Sequence, residues 1–467
     1  MSAYLDIDDL GQADVCIESI SHFSRDLPCN ISKERLSHCL ASYETLVRIA
    51  GQTDKPCYGL HTSYGHNVKD ARNAGEFEFW QRDLLHYLQV GVGSPLPVPV
   101  VRLGLRLQAF KASRGVSGIH PETISDLLAL SNEESLPLVP RYGSLGASGD
   151  LIPMAHALVP LFSHEIRGPR DVIGLVNTNA MMASWLVLQL QIVEQLWFRA
   201  AEITAINALV LDSPEEHFQG LGFEINSHLK GNCFAASQLA QALQNWRETL
   251  LIESKQTKVQ SKYSIRCSPQ ILGNCYDLLE FAKCKAVSEA LAVADNPIIP
   301  HDGDSPWHGG LFYASGLATG SDLAIDIVAK LCELLDRQVL LMMDGNETGL
   351  ADNLWNGHDH LKGLHQLLSS LYQKVRTQTP RSIQASFSSE SHNQDLVPAG
   401  MTMLVHLDEL MALARDVFRG ASFIALRGGV QKSGRAVPPA LSLIQWQNWN
   451  LPEKGDLLSR FHHLTDS

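Results

Sequence analysis

Long amphipathic segments dominate the sequence after Met181. Apolar residues recur there at helical spacing over segments of roughly 181–211, 231–255, 271–293, 315–345, 359–377 and 395–428. Helices of this length bury their apolar faces by packing side by side. Strand-like alternation is sparse and short, and no internal repeat is evident. We therefore predict a mainly α fold with a long helical bundle.

The first 180 residues have a more mixed pattern. Helical spacing is found at 31–50, 75–92 and 97–114, and the loop 137–150 follows. A chain of 467 residues is too long for one ordinary domain. We predict an N-terminal region at 1–180 and a helical bundle domain at 181–467.

Composition excludes several classes of protein. A net charge of −13 provides no basic surface for nucleic acid. The most apolar run, 181–198, is interrupted by Gln and Glu residues, which indicates a buried helix and no membrane span. The nine cysteines are scattered without a Cys-x-x-Cys pair, and the N-terminus lacks a signal-peptide pattern. We expect a cytoplasmic protein that binds neither nucleic acid nor membrane.

Histidines also cluster near the start of one predicted helix. His358, His360 and His365 resemble metal-ligand spacing, but they lie in a polar segment among acidic residues. We interpret them as solvated side chains and predict no metal site.

One glycine-rich loop, residues 141–150, carries the strongest signal for function. Gly143, Gly146 and Gly149 recur at three-residue spacing and permit bends that residues with a Cβ disfavour. A phosphate-binding loop would need Lys-Ser/Thr after its glycines, and Asp150 would repel phosphate. Asp150 also occupies the place of the second glycine of a nucleophile elbow. A flexible linker fits poorly, because an apolar segment follows directly at 151–155.

A covalent interpretation fits this loop better. In a tight bend, the amide nitrogen of Gly149 can attack the carbonyl carbon of Ala147, since glycine has no side chain to block the approach. Loss of water, including the hydroxyl of Ser148, leaves a five-membered ring with an exocyclic methylene. Such a group is an electrophile, which none of the twenty side chains supplies.

The block Gly143–His156 resembles the signature of the aromatic amino acid lyases, which comprise histidine, phenylalanine and tyrosine ammonia-lyases and related aminomutases. The resemblance extends from about residue 31 to about residue 420, with blocks in the family's order. It implies that Ala147, Ser148 and Gly149 form 4-methylideneimidazol-5-one (MIO), so that no external cofactor is needed. It also implies the fumarase/aspartase-like architecture, in which a long central helical bundle accompanies a smaller region carrying the MIO loop.

Two further segments resemble catalytic motifs of this family. Tyr58 opens a segment similar to Tyr-Gly-x-x-Thr-Gly-Phe-Gly, in which the tyrosine is the catalytic base. A base of this kind needs a lowered pKa. Ser63 and Tyr64 replace the Gly-Phe of the motif. Asn177 matches the first residue of Asn-Gly-Thr, which contacts substrate and prosthetic group, whereas the following residues, Thr178, Asn179 and Ala180, depart from the motif.

A third segment, 260–270, is similar to the family's Gln-Asp-x-Tyr-Ser-x-Arg-x-x-Pro-Gln. The resemblance assigns Arg266 as the clamp for the substrate carboxylate, which suits its planar, bidentate guanidinium. It places Gln260 and Tyr263 in the site, usually from a neighbouring subunit, and Tyr263 helps to position the prosthetic group. A homotetramer with active sites shared between subunits follows from this resemblance.

A fourth segment, 302–309, occupies the place of the family's Gly-Gly-Asn-Phe-His-Gly, after an Asp-Asn-Pro turn at 295–297. By resemblance, Trp307 stands where a phenylalanine packs against the prosthetic group. Pro306 replaces an asparagine and removes a polar contact.

The resemblance also bears on the substrate. His392-Asn-Gln-Asp395 resembles phenylalanine ammonia-lyases, whereas histidine lyases carry a glutamate at the position of Gln394. Tyr87 and Leu88 align with the Phe-Leu of phenylalanine lyases, and an apolar leucine favours an aromatic ring. The hydroxyl of Tyr87 and the imidazole of His61 are polar groups that suit a ring substituent, so tyrosine stays open.

We therefore predict an MIO-dependent ammonia-lyase that acts on phenylalanine or tyrosine, a small aromatic amino acid, and releases cinnamate or 4-coumarate. An aromatic 2,3-aminomutase that returns ammonia to the β-carbon is the alternative, which the sequence does not separate from a lyase. A histidine ammonia-lyase and a non-catalytic homologue are ranked lower. An intact Ala147-Ser148-Gly149 argues against lost chemistry.

Overall fold

Helices make up most of the chain. The computed structural model describes residues 4–52, 56–253, 258–303, 305–450, 457–459 and 461. The α-helices are α1 Ile17–His22, α2 Lys33–Ala50, α3 Phe77–Tyr87, α4 Val98–Ala112, α5 Pro121–Asn132, α6 Leu151–Leu158, α7 Asp171–Val176, α8 Ala180–Val210, α9 Leu221–Glu224, α10 Lys230–Leu250, α11 Tyr263–Arg266, α12 Ser268–Leu291, α13 Ser315–Met342, α14 Gly345–Thr348, α15 Lys362–Arg376, α16 Ser382–Ala385 and α17 Gly400–Lys432. The prediction of a mainly α fold is confirmed.

Strands and 3-10 turns are short. The strands are β1 Leu5–Asp6, β2 Cys29–Asn30, β3 Val92–Pro95 and β4 Pro140–Tyr142. They form a parallel pair, β1 with β2, and an antiparallel pair, β3 with β4. The 3-10 helices are Ile7–Gly11, Gly65–Asn67, Ala74–Glu76, Glu215–His217, Asp352–Leu354, Glu390–His392, Pro439–Leu441 and Leu443–Asn448.

The predicted long helices are confirmed, with ends displaced by a few residues. They correspond to α8, α10, α12, α13, α15 and α17. Residues 254 and 255 of the second predicted segment lie outside the described residues. Helix α2 ends at Ala50, directly before the predicted break at Gly51.

Between residues 75 and 150, the two predicted helices are found as α3 and α4. The predicted end of α3 and the predicted loop 137–150 differ from the structure. Helix α3 ends at Tyr87, and β3 follows where the pattern extended the helix to residue 92. The predicted loop 137–150 contains the strand β4, which pairs with β3. The local pattern misses this pairing because its partners lie about 45 residues apart in the chain.

The chain divides into two compact units. The first comprises 1–191, 282–322 and 380–405, and the second comprises 192–281, 323–379 and 406–467. Four boundaries fall inside α8, α12, α13 and α17, and a fifth lies between α15 and α16, whereas the domain boundary predicted from sequence falls after residue 180. The unit that carries the glycine-rich loop therefore also includes 282–322 and 380–405, which are distant from the loop in sequence.

Helices α4 and α8 form much of the core of the first unit. Every residue of α4 from Val100 to Ala112 is buried, and Arg106 donates to the carbonyls of Phe23, Arg25 and Leu27 at 2.7–3.0 Å. Such bonds offset the cost of burying a charge. The stretch Asp171–Val210 is long and apolar enough to cross a membrane, but 94% of its most apolar window is buried inside the protein. The prediction of a buried helix is confirmed.

In the second unit, α8 and α13 are joined by buried amides. Gln338 Oε1 accepts from Asn207 Nδ2 at 3.1 Å, and Gln338 Nε2 donates to Thr204 Oγ1 at 3.0 Å. Buried polar groups that bond one another in this way set the register between packed helices.

Candidate active site

The glycine-rich loop is held in a tight, close-packed bend. Gly143, Gly146 and Gly149 have φ of +142°, +72° and +78°, a region that L residues rarely adopt. A Cβ on Gly149 would lie 2.2 Å from the carbonyl oxygen of Thr178, so no side chain fits there. Ser144 Oγ accepts from the Gly146 amide at 3.1 Å and contacts the Gly149 oxygen at 3.3 Å. The loop is thus bent by its own hydroxyl and pressed against the residues that precede α8.

Asp150 fastens the end of this loop to the start of α8. Its amide donates to the Thr178 oxygen, and its Oδ2 accepts from the Met182 amide at 2.9 Å. Thr178 Oγ1 accepts from the Ala180 amide at 3.2 Å. The free amides of a helix N-terminus are therefore satisfied by the loop and by the segment before the helix.

The residues that depart from the Asn-Gly-Thr motif serve this packing. Asn179 Oδ1 accepts from the buried Lys111 ammonium, and Asn179 Nδ2 donates to Glu289 Oε2 at 2.7 Å. The departures at 178–180 thus supply the contacts that hold the loop and the N-terminus of α8.

A cavity of about 770 Å³ opens onto the loop within the first unit. Its walls include eight of the residues predicted for the site: Tyr58, Tyr87, Leu88, Ala147, Ser148, Gly149, Asn177 and Gln394. Residues from separate segments of the chain therefore meet around the Ala-Ser-Gly stretch.

Two residues with amide side chains, Asn177 and Gln394, line the cavity beside the reactive stretch. Gln394 Nε2 donates to Ser148 Oγ at 2.8 Å. Asn177 is 4% exposed, its Nδ2 lies 3.5 Å from the Asn296 oxygen, and its Oδ1 has no hydrogen-bond partner among the described residues. A buried carbonyl oxygen without a donor is costly and suits an amine or N–H ligand.

Tyr58 lies in the same cavity, and its hydroxyl is oriented by the backbone. Tyr58 Oη accepts from the Gly65 amide at 2.8 Å. Burial raises the pKa of Tyr58, and the charge of Glu390 raises it further, whereas the Gly65 amide, Arg170 and Arg72 lower it. The lowered pKa expected for a catalytic base is therefore not found in this chain, because burial outweighs the two cations.

Ser63 and Tyr64, which depart from the family motif, are structural. Ser63 Oγ accepts from Arg72 Nη2 at 2.9 Å, and the Arg72 guanidinium lies 4.3 Å from the centroid of the Tyr64 ring. The rings of Tyr58 and Tyr64 meet edge to face at 6.4 Å. The larger side chains thus pack the loop that presents Tyr58.

The ring nitrogens of His61 face the backbone, and its contact with a substrate ring stays a prediction. Its Nδ1 accepts from the Cys57 amide at 3.0 Å, and its Nε2 lies 3.3 Å from the Ala50 oxygen. Both ring nitrogens are therefore occupied by backbone groups, and His61 is not among the cavity walls. It braces the turn before Tyr58.

Trp307 is not among the residues that line this cavity, and its packing against the prosthetic group stays a prediction. Its backbone pairs with Ile298 through two 2.9 Å hydrogen bonds, and its side chain is 53% exposed. Phe312 and Tyr313 line the cavity instead. Pro306 is half-buried and is not among the residues that line the cavity.

Gln260, Tyr263 and Arg266 line a separate cavity inside the second unit. The Arg266 guanidinium lies 4.6 Å from the centroid of the Tyr263 ring, and Tyr263 is 70% exposed. Their contribution to the site of another subunit stays a prediction.

Two carboxylates line the cavity that were not predicted as site residues. Glu390 and Asp395 line the cavity beside Asn393 and Gln394. Asp395 belongs to the His-Asn-Gln-Asp motif, but Glu390 lies outside it, and only its spacing of four residues from Gln394 could have indicated a shared loop.

The geometry fits the formation of MIO. The bend at Gly149 leaves no room for a side chain, and no hydrogen bond engages its amide nitrogen among the residues that the structure describes. Asn177 offers an unpaired oxygen beside the loop. Within the described ranges, no group of three His, Cys, Asp or Glu side chains is arranged to hold a metal ion.

Burial of Asp150 makes stability depend on pH. Burial raises its pKa from 3.8 to about 7, against the opposing effects of the Met182 and Met181 amides and Lys111. An acid with a raised pKa stabilises the fold fully below its unfolded pKa, and that stability is lost as the pH rises toward 7. At about 1.4 kcal/mol per pKa unit, the loss is on the order of 4 kcal/mol.

We expect Asp150→Asn to abolish most of this dependence, because the amide keeps an acceptor for Met182 and never ionises. Denaturant unfolding from pH 4 to pH 8 measures it, with exposed Asp14→Asn as the matched control. Identical pH dependence of wild type and Asp150→Asn would contradict the assignment.

Comparison with known proteins identifies the class. The family model of the aromatic amino acid lyases matches residues 15–166 and 164–431. The chain belongs to the aromatic amino acid lyase family.

Sequence relatives within the family include histidine ammonia-lyases. A histidine ammonia-lyase of Burkholderia pseudomallei (strain 668) is 30% identical over 63% of this chain, and the match spans 62% of that relative's length. A histidine ammonia-lyase of Burkholderia mallei (strain NCTC 10229) is 27% identical over 83% of this chain and 81% of its own.

Solved structures share the fold. Tyrosine aminomutase from Streptomyces globisporus superposes with a TM-score of 0.82 and 21% identity, covering 99% of this chain and 96% of its own. Ergothionase from Treponema denticola gives a TM-score of 0.83 and 19% identity, covering 99% and 98%. At these identities the likeness concerns the fold alone.

Proposed function

We propose that this protein is an MIO-dependent ammonia-lyase of phenylalanine or tyrosine. The observation that carries the proposal is the bend at Gly149, which has no room for a side chain at this residue and lines one cavity with Tyr58, Asn177 and Gln394. When formed, MIO supplies an electrophile for the substrate amine and turns that amine into a better leaving group.

The residues of the chain have separate roles in this proposal. Tyr58 Oη takes a proton from the β-carbon, the bond between the α-carbon and nitrogen breaks, and ammonia and a trans-arylacrylate are released. Asn177 and Gln394 hold the amine through their amides. Leu84 and Leu88 provide an apolar wall for the ring.

Binding of the substrate carboxylate requires a cation from elsewhere. Among the described residues that line the cavity, Glu390 and Asp395 are the charged ones, and both are acidic. We propose that Arg266 of a neighbouring copy supplies the clamp in a homotetramer. This arrangement, the small-molecule substrate and the cytoplasmic location rest on the resemblance and on composition.

An aromatic aminomutase is the alternative outcome of the same chemistry. It differs only in how long the acrylate is retained before ammonia returns to the β-carbon. Solved tyrosine and phenylalanine aminomutases share this fold.

Histidine is a second candidate substrate. The carboxylates of Glu390 and Asp395 line the cavity, where they favour a cationic imidazole ring, and sequence relatives are named histidine ammonia-lyases. The neutral Gln394 and the apolar Leu88 favour an uncharged ring, and for that reason phenylalanine and tyrosine rank first.

One assay separates these proposals. The purified protein is incubated with phenylalanine, tyrosine or histidine, and ammonia, the ultraviolet-absorbing acrylate and the β-amino acid are followed together. Acrylate and ammonia from phenylalanine or tyrosine without β-amino acid support the lyase. Accumulating β-amino acid supports the mutase, and urocanate from histidine alone would overturn the substrate assignment. No product from any of the three would contradict the proposed function.

A further inference from the structure

We propose that Glu390 is a positioning residue that ties the Tyr58 loop (residues 58–70) to the Gln394 loop (residues 389–396) and so holds the Tyr58 hydroxyl at the cavity. The inference rests on the proposed function, in which Tyr58 is the base. The resemblance assigns no role to Glu390, which lies outside the His-Asn-Gln-Asp motif.

On one side, Glu390 binds next to the hydrogen bond that orients Tyr58. Its Oε1 accepts from the His66 amide at 3.0 Å. The preceding amide, that of Gly65, donates to Tyr58 Oη at 2.8 Å. Consecutive backbone amides of one turn therefore bind the carboxylate and the phenol, so movement of one alters the geometry of the other.

On the other side, Glu390 is fixed to the loop that faces the reactive serine. Its Oε2 accepts from Asn393 Nδ2 at 2.7 Å. Ser389 and Gln394 pair through their backbones at 2.8 and 3.3 Å, and Gln394 Nε2 reaches Ser148 Oγ at 2.8 Å. Hydrogen bonds thus connect Ser148 to Tyr58 through Glu390.

The fit around the carboxylate is close. Gly65 has φ of +56°, and a Cβ at this position would lie 1.6 Å from Glu390 Oε1. Glu390, Ser391 and His392 have φ of 50°, 51° and 67°. Left-handed conformations at consecutive residues with side chains persist only where surrounding contacts enforce them. Here those contacts direct Glu390 against the Gly65 backbone.

The charge of Glu390 also acts on Tyr58. Burial and Glu390 raise the pKa of the Tyr58 phenol, whereas the Gly65 amide, Arg170 and Arg72 lower it. Tyr64 faces Tyr58 as a neutral ring, and His308 Nε2 accepts from the Tyr58 backbone amide at 3.1 Å. Removal of the carboxylate charge with retention of its shape is therefore expected to lower the pKa of Tyr58.

Two variants separate the effect of the hydrogen bonds of Glu390 from the effect of its charge. Glu390→Gln keeps an oxygen for the His66 amide, and the Asn393 amide can turn to accept from the new NH2 group, so only the charge is lost. Glu390→Ala removes both bonds. Glu134→Gln, at an exposed glutamate outside the cavity, is the matched control.

The readouts are amide hydrogen exchange of residues 63–68, the Tyr58 pKa, and the pH profile of kcat/KM. The Tyr58 pKa is obtained from tyrosinate absorbance as the difference between each protein and its Tyr58→Phe counterpart. We expect Glu390→Gln to keep exchange near wild type and to move the Tyr58 titration and the rising limb of the profile to lower pH. Glu390→Ala is expected to accelerate exchange at least tenfold and to lower kcat roughly tenfold or more, since the base loses its fixed position.

The outcomes are decisive in each direction. Unchanged tyrosinate titration in Glu390→Gln would refute the effect of the Glu390 charge on the Tyr58 pKa. Unchanged exchange in Glu390→Ala would refute the proposal that Glu390 holds the two loops together. Exchange and titration need no turnover, so they remain readable even if the wild type converts no amino acid and the proposed function fails. An active wild type whose Glu390 variants match Glu134→Gln would sink this inference alone.

Discussion

Replacing Ser148 by alanine is expected to lower kcat at least about 1000-fold while the protein stays folded. A drop of that size corresponds to ~4 kcal/mol in the activation barrier, which is the scale at which loss of a covalent catalyst acts. The fold should survive because the change removes a single hydroxyl, whose described partner is the Gln394 amide. Release of ammonia and acrylate measures the activity, and circular dichroism measures the fold.

Intact mass gives a reading that is independent of turnover. The wild-type mass should fall below the encoded mass by the water lost in ring closure and the water lost from the Ser148 side chain. Ser148→Ala cannot lose the second of these. Ser163→Ala, which removes an exposed hydroxyl that donates to the Pro160 oxygen at 2.9 Å, is the matched control and should retain wild-type mass loss and activity. Full activity in Ser148→Ala would refute the covalent interpretation of the loop.

Replacing Tyr58 by phenylalanine is the second change with a large expected effect. General base catalysis contributes about 100- to 10,000-fold to a rate, and kcat should fall within that range. The Gly65 amide also loses its acceptor, which costs about 1 kcal/mol of stability. Because the pKa of Tyr58 is raised, the phenolate fraction grows with pH, and wild-type kcat/KM should rise toward alkaline pH.

The pH profile tests the role of Tyr58 directly. Tyr58→Phe should lose the rising alkaline limb, because no phenolate then forms at this position. Tyr43→Phe, which removes a phenol outside the cavity, is the matched control and should retain the limb. A Tyr58→Phe enzyme with the wild-type profile and rate would assign the base to another residue.

Much of the fold and of the reactive stretch could be predicted before any coordinates were known. The long helices follow from apolar periodicity, since a helix that must bury one face shows it within a few turns. The bend at 143–150 follows from its glycines, because backbone freedom at φ above zero is a local property. Tyr58, Asn177 and Gln394 were found only through blocks that resemble a family, and the structure brings all three to the Ser148 cavity.

The pattern of residue types along the chain did not show which groups some of the predicted side chains contact. His61 lay in the right segment, but the Cys57 amide and the Ala50 oxygen occupy its nitrogens. Trp307 matched an aligned position, yet its pairing with Ile298 leaves its side chain exposed. The lowered pKa that a catalytic base requires is not found at Tyr58, because burial and the nearby Glu390, which are properties of tertiary packing, raise it.

By itself, the sequence determined the helical class, the side-chain-free bend and the chemical identity of Ala147-Ser148-Gly149, because each depends on residues adjacent in the chain. Only the tertiary structure decided which side chains share the cavity and which charges its walls carry. Glu390 stands 332 residues from Tyr58 in the chain, but in space one turn, Gly65-His66, carries the hydrogen bonds of both. A one-dimensional pattern does not encode such a contact, because it arises from the path of the backbone between the two residues.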